Sequence, residues 1–378
     1  MFYIVFAIGL LFSLLPQKKI AAKIYAVILV VLAAFRFGSG ADYFSYALIY
    51  YKALPSVINE ISNPQGTHEI GFRLIEALFK SLGLSYQVFL AGMAVIGIYF
   101  IYKACVKYSS NPTLSLVIYF ACYYFYWTYS ALRQGFALTI GIYFLLETVR
   151  DNKTKKFIVI TLLLSLIHAS ALYLLVLYFL SKLKLGKSQL IVITILAMIV
   201  GAFPIGRILL SLSKLMPALK RIVPYLSSDQ SFINIFDIQT IGRLGFLVIA
   251  FVFYDRYAEQ SHVNKKILNM YIISFILYFA LKSVELMAAR FAIYGRVLDI
   301  VILANIVYLI KNKYSRYIFI ACLTGVLVAY LFKELAFMEY YIEIVDSNPY
   351  HTPYVNIFNK DNFVFTHSKY YRYLKTLH

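Results

Sequence analysis

Apolar runs recur along most of this 378-residue chain, at 2–15, 20–35, 86–102, 112–128, 131–146, 157–180, 189–203, 240–254, 267–281, 291–310 and 316–332. A helix needs about 20 mainly apolar residues to cross roughly 30 Å of hydrocarbon, so the chain has room for about eleven or twelve crossings. Hydrophobic residues make up 62% and charged residues 14%, with a mean hydropathy of +0.75, which is too little charge to cover a soluble surface. The expected fold class is an all-α, polytopic integral membrane protein. It has a single transmembrane domain over 1–332, outer loops at about 36–85 and 204–239, and an outward-facing polar and aromatic tail over 333–378.

Several chemistries lack support. Cys105, Cys122 and Cys322 are odd in number and match no metal or redox spacing. No P-loop, dinucleotide fingerprint, HExxH or GxSxG is present. The net charge of +19 lies in loops between apolar runs and not on one polar face, so nucleic acid is not an expected partner.

Those loops set the topology. The first run has no basic residues before it and Lys18 and Lys19 straight after it, which reads as a retained span with an outer N-terminus. The short lysine-rich connections 103–107, 150–156, 182–187, 256–266 and 311–316 then all face the cytoplasm, provided that 157–180 crosses twice with His168 at an outer tip. Nine of the twelve arginines fall at or beyond the outer face: Arg36, Arg73, Arg133, Arg207, Arg221, Arg243, Arg290, Arg296 and Arg372. A guanidinium stays charged and binds phosphate oxygens in bidentate fashion, so this bias points to a phosphate-bearing, membrane-anchored ligand.

Two outer connections carry helical patterns. Arg207, Lys214 and Arg221 recur every seven positions as a basic stripe broken at Pro217. Glu69 with Arg73, and Glu76 with Lys80, are i,i+4 pairs whose expected role is a solvated, salt-bridged face.

The remaining polar residues at span ends are the functional candidates. Arg36 opens a segment with Gly38, Gly40 and Asp42, where glycines allow close backbone approach to a ligand. Arg133-Gln-Gly135 starts a span after the aromatic run 123–129, so its charge adds to a helix dipole that favours anions. Tyr43, Trp127, Tyr129 and Tyr294 are the candidate platforms for sugar rings. His168, inside an apolar run, is a candidate general base. Arg290 shares a helical face with Tyr294, Arg296 has Asp299 at i,i+3, and Arg243 repeats the glycine-flanked context of Arg133.

In chain order, Arg36-Phe-Gly-Ser-Gly-Ala-Asp-Tyr-Phe-Ser-Tyr46, His68-Glu-Ile-Gly-Phe72, Arg133-Gln-Gly-Phe-Ala137, His168-Ala-Ser-Ala-Leu172, Arg290-Phe-Ala-Ile-Tyr294 and Thr352-Pro-Tyr-Val-Asn356 resemble the landmarks of one family. It is the EpsG-like branch of the Wzy-type polysaccharide repeat-unit polymerases, which make O-antigen, capsule or exopolysaccharide. Ile70 stands where others show an aromatic or proline near Glu69, a departure that leaves a family role for Glu69 open.

The resemblance implies a GT-C-like, multi-pass glycosyltransferase of the bacterial inner (plasma) membrane, its site facing the periplasm or exterior. Its substrates in the bilayer are undecaprenyl diphosphate-linked oligosaccharides, and it moves a growing chain from its lipid diphosphate to a fresh repeat unit without metal or cofactor. Arg36, Arg133 and Arg290 meet the diphosphate charge with support from Arg243 and Arg296, and His168 or Asp42 serves as base; the catalytic set is thus His168, Asp42, Arg290 and Arg133. A chain-length regulator is a further partner that the resemblance allows. Two alternatives stay open: a GT-C enzyme using a polyprenyl-monophosphate sugar with Asp42 as base, and a flippase for lipid-linked oligosaccharide.

Overall fold

A computed structural model describes residues 1–63, 66, 68–203, 206, 210–211, 238–339, 354–363 and 369–375. The basic stripe of Arg207, Lys214 and Arg221, with Pro217, lies outside these residues, as do Thr352 and Pro353 of the last landmark. Among the described residues all regular structure is helical, and the one β feature is an isolated bridge between Arg36 and Asn356.

The chain divides into two compact units. Unit 1 comprises Met1–Glu147, Thr154–Leu172 and Leu303–His378, and unit 2 comprises Thr148–Lys153 and Tyr173–Ile302. Unit 1 opens with α1 (Phe2–Ser13), α2 (Lys18–Phe35), α3 (Tyr43–Lys52), α4 (Val57–Ser62), α5 (Ile70–Ser81), α6 (Tyr86–Tyr108) and α7 (Pro112–Tyr119). A π-helix, Phe120–Ser130, continues α7 and is followed by α8 (Leu132–Asp151) and α9 (Thr154–Ser165). Local chemistry sets several starts: Ser85 accepts from the Val88 amide ahead of α6, and Asn111 accepts from Leu114 ahead of α7, whose first residue is Pro112.

Among the described residues, two helices are long and apolar enough to cross a membrane, Tyr86–Tyr108 and Lys313–Ala336. The pair Leu286–Arg296 and Asp299–Leu309, bent by 48°, makes a third if it counts as one span. Four further apolar helices are shorter: Phe2–Ser13, Ala169–Leu180, Lys187–Ala202 and Thr240–Val252. Among the described residues the other apolar runs do not each form one continuous helix of spanning length, because apolar run length does not report where a helix breaks. The 157–180 run shows this directly. Its first helix, α9, ends at Ser165, and a 3-10 turn, Ala169–Leu172, precedes the helix Tyr173–Leu180, which leaves His168 in the break.

The described residues 354–363 pair with the end of α2. Phe37 donates its amide to Val355 at 3.0 Å and Ile357 donates to Phe35 at 3.0 Å, and Val355 is fully buried in a core of Tyr43, Phe44, Tyr46, Tyr50, Phe72 and Phe89. That core lies beneath α3 and α5 and sets the position of the site.

Candidate active site

Three of the sequence landmarks meet at the first turn of α5. Glu69, at the N-cap position, does not cap its own helix. One carboxylate oxygen pairs with Arg133 Nη1 from the first turn of α8, and Oε1 accepts from the Ala169 amide at 3.2 Å. Two residues on, the Gly71 amide donates to the Leu166 carbonyl at 2.7 Å. A Cβ on Gly71 would sit 2.7 Å from that oxygen, so only glycine admits the approach. The break around His168 is thus fastened to α5 by a carboxylate and by a backbone bond. Arg133 also donates through Nε to the Tyr46 hydroxyl at 3.4 Å, and His168 Nδ1 lies 2.7 Å from Ser170 Oγ.

The electrostatics follow from partial burial. Burial works to raise the Glu69 carboxyl, but the Arg133 charge, two amides and His168 outweigh it and hold Glu69 below its usual range, so it is a carboxylate at neutral pH. Burial, then Arg133, lower His68, which favours a neutral ring. Glu76 lies two turns along α5 at 1% exposure, and one of its oxygens, Oε1, has no hydrogen-bond partner. Burial, with Glu60 adding to it, raises the Glu76 carboxyl to about 8.

This arrangement corrects the expected solvated face. Arg73 pairs not with Glu69 but with Glu60, at 2.7 Å, and Glu60 is itself buried. Lys80 donates to the Ala53 carbonyl at 2.6 Å and also to that of Tyr51, so it closes the end of α3 instead of meeting Glu76. The reason is that α5 packs its Phe72 and Ala77 side into the aromatic core and carries Glu76 in with them.

The other candidates fall into three groups. Arg36 is 1% exposed and donates to the Thr128 and Tyr129 carbonyls at 3.2 and 3.0 Å, over the Tyr129 ring at 4.5 Å. These bonds close the C-terminal end of the π-helix, so part of the Arg36 fork is used within the protein. Gly40, at φ +103°, would bring a Cβ to 2.7 Å from the Tyr129 carbonyl, so the close approach it permits is to that backbone and not to a ligand. Asp42 is exposed at the N-cap position of α3. All four sugar-platform candidates are buried: Tyr43, Tyr129 and Tyr294 pack in the interior. Trp127 lines a small apolar niche with Met93, Ala94, Gly97 and Phe136.

Unit 2 holds the remaining arginines. Arg290 is half-buried on the helix Glu285–Arg296. Arg243 and Arg296 both stand over the ring of Tyr278, at 4.2 and 5.5 Å. Lys282 joins them at 5.6 Å. Neither Lys282 nor Tyr278 stands out in the sequence, although their i,i+4 spacing was visible there. Among the described residues no group of three His, Cys, Asp or Glu is placed to hold a metal ion.

A family model described as the EpsG family matches residues 19–352. No curated protein and no solved structure matches the chain.

Proposed function

The chain belongs to the EpsG family, a family of polysaccharide-biosynthesis polymerases, and from that premise we propose a repeat-unit polymerase of the inner membrane. It transfers a growing glycan from undecaprenyl diphosphate to a new lipid-linked repeat unit at the outer face. The observation that carries this is the bridge made by Glu69, which ties Arg133 to the His168 turn and so joins three family landmarks at one partly exposed junction.

The chemistry needs three things. The acceptor hydroxyl attacks the anomeric carbon and loses a proton, the bond from that carbon to the diphosphate oxygen breaks, and the diphosphate leaves with its charge. His168 takes the proton, and the Glu69 carboxylate stabilises the cation that His168 becomes. Glu69 also orients the Arg133 fork, which we assign to hydrogen-bonding an anionic substrate. Arg290 is the proposed diphosphate ligand on unit 2.

Exposed Asp42 keeps the monophosphate-sugar alternative testable: total loss on replacing Asp42, with Arg290 dispensable, favours it. The primary experiment is to delete the gene and resolve the lipid-linked glycans. Loss of the ladder with single repeat units retained outside supports a polymerase, and their retention inside supports a flippase.

A further inference from the structure

Glu76 is a buried acid that its surroundings leave without a partner. It is 1% exposed, and its Oε1 accepts no hydrogen bond. The two cations on its own helix are committed elsewhere, Arg73 to Glu60 at 2.7 Å and Lys80 to the carbonyls of Tyr51 and Ala53. Two tyrosines that feel its charge, Tyr50 of α3 and Tyr86 of α6, also donate elsewhere, to the Leu84 carbonyl at 2.7 Å and the Tyr43 carbonyl at 3.0 Å. An unpaired carboxylate at this depth is costly, so the site holds Glu76 as the neutral acid. Packing alone does not explain it, because a methionine fills similar space with no polar atom to strand.

Its place on α5 supplies the explanation. Glu69, Phe72 and Glu76 stand at i, i+3 and i+7 and so share one side of the helix. Arg133 faces that side: its Nη1 pairs with Glu69, and its guanidinium stands 5.9 Å from the centre of the Phe72 ring. Of the charges around Glu76, that of Arg133 acts on it most strongly, ahead of Glu60 and Lys80, and Arg73 acts least. One guanidinium therefore faces two carboxyl groups about 10 Å apart along the helix, one paired and one protonated. With Nε on the Tyr46 hydroxyl and Nη1 on Glu69, it cannot serve a second carboxylate without giving ground at the first.

We propose that Glu76 is a positioning residue for this junction: its proton keeps Arg133 on Glu69, and loss of that proton makes Glu76 a second carboxylate that draws Arg133 away from the His168 turn. The pairing stands without the polymerase reading, and its effect on chain elongation rests on that reading.

The test uses the purified full-length protein. Glu69→Gln, Arg133→Gln and their double variant are melted at pH 6 and pH 9, with Glu76 present and on a Glu76→Gln background. With Glu76 present, the non-additivity of the pair falls to about half or less between the two pH values, and on the Glu76→Gln background it holds. If Glu76→Gln does not fold, Glu76→Met, which cannot ionise either, replaces it. Non-additivity that is constant with Glu76 present, or that falls equally on both backgrounds, overturns the proposal.

Elongation in proteoliposomes is the second readout. From pH 7 to pH 9 the protonated fraction of a group titrating at about 8 falls about tenfold, and the rate falls with it, whereas Glu76→Gln changes by no more than about threefold. His168 acting as base gives a rate that rises with pH to a plateau, so a falling limb that Glu76→Gln removes belongs to Glu76. A falling limb that Glu76→Gln retains overturns the positioning role. Pairing that depends on Glu76 and on pH, in a protein that makes no polymer from lipid-linked repeat units, refutes the polymerase reading and leaves the exchange of Arg133 standing.

Discussion

Glu69 and Arg133, 64 positions apart in the chain, form an ion pair whose carboxylate also holds the Ala169 amide. One side chain therefore ties α5 to α8 and to the break that carries His168. If the pair acts as a unit, Glu69→Gln and Arg133→Gln are not additive. Their double variant is less destabilised than the sum of the singles by about 1 kcal/mol, a modest figure because both side chains reach solvent. Thermal melts of the three variants check this, and strict additivity contradicts it.

Glu76 makes stability depend on pH. Its folded value of about 8 lies above the ordinary 4.5, so the folded state holds a proton that the unfolded state has released between those values. The stabilisation is fully present below 4.5 and is lost as pH rises through 8. The melting temperature should fall from pH 6 to pH 9, and Glu76→Gln should flatten that fall and be the more stable form at pH 9. Parallel pH profiles for the two proteins count against a buried, protonated Glu76.

Gly135 marks where α8 presses on the π-helix. A Cβ there would lie 1.6 Å from the Trp127 carbonyl, an overlap that only a backbone shift relieves. Gly135→Ala should cost about 3 kcal/mol or more and leave little folded protein. Gly245→Ala is the control, because a Cβ there meets nothing within 4 Å among the described residues, and alanine in a helix should stabilise by about 0.5–1 kcal/mol. Comparing the yield of monodisperse protein for the two variants decides it.

Arg290 is expected to act through its fork as well as its charge. Arg290→Lys should reduce polymer formation about tenfold and Arg290→Ala further, at equal protein levels. A full ladder from Arg290→Ala removes Arg290 from diphosphate binding.

What the sequence made legible was local. Helical class, apolar runs and family landmarks depend on neighbouring residues, and they carry over to a helical membrane protein of the EpsG family. Pairings were not legible, because Glu69 and Arg73 have helical spacing, yet Arg133 and Glu60 reach them from distant segments. Arg36 with Gly38 and Gly40 reads equally as an anion cradle or as a brace. The bonds to the Thr128 and Tyr129 carbonyls come from a distant segment and have no local signal. Burial of Glu76 and the gathering of Lys282 with two arginines at Tyr278 are likewise tertiary events with no local signal.

The most direct test of the Glu69 junction is chain elongation by purified protein in proteoliposomes, supplied with a lipid-linked repeat unit. Glu69→Gln and His168→Gln should each slow elongation about 100-fold or more while remaining folded. Ladders of unchanged length and rate from both variants would contradict the placement of catalysis at this junction.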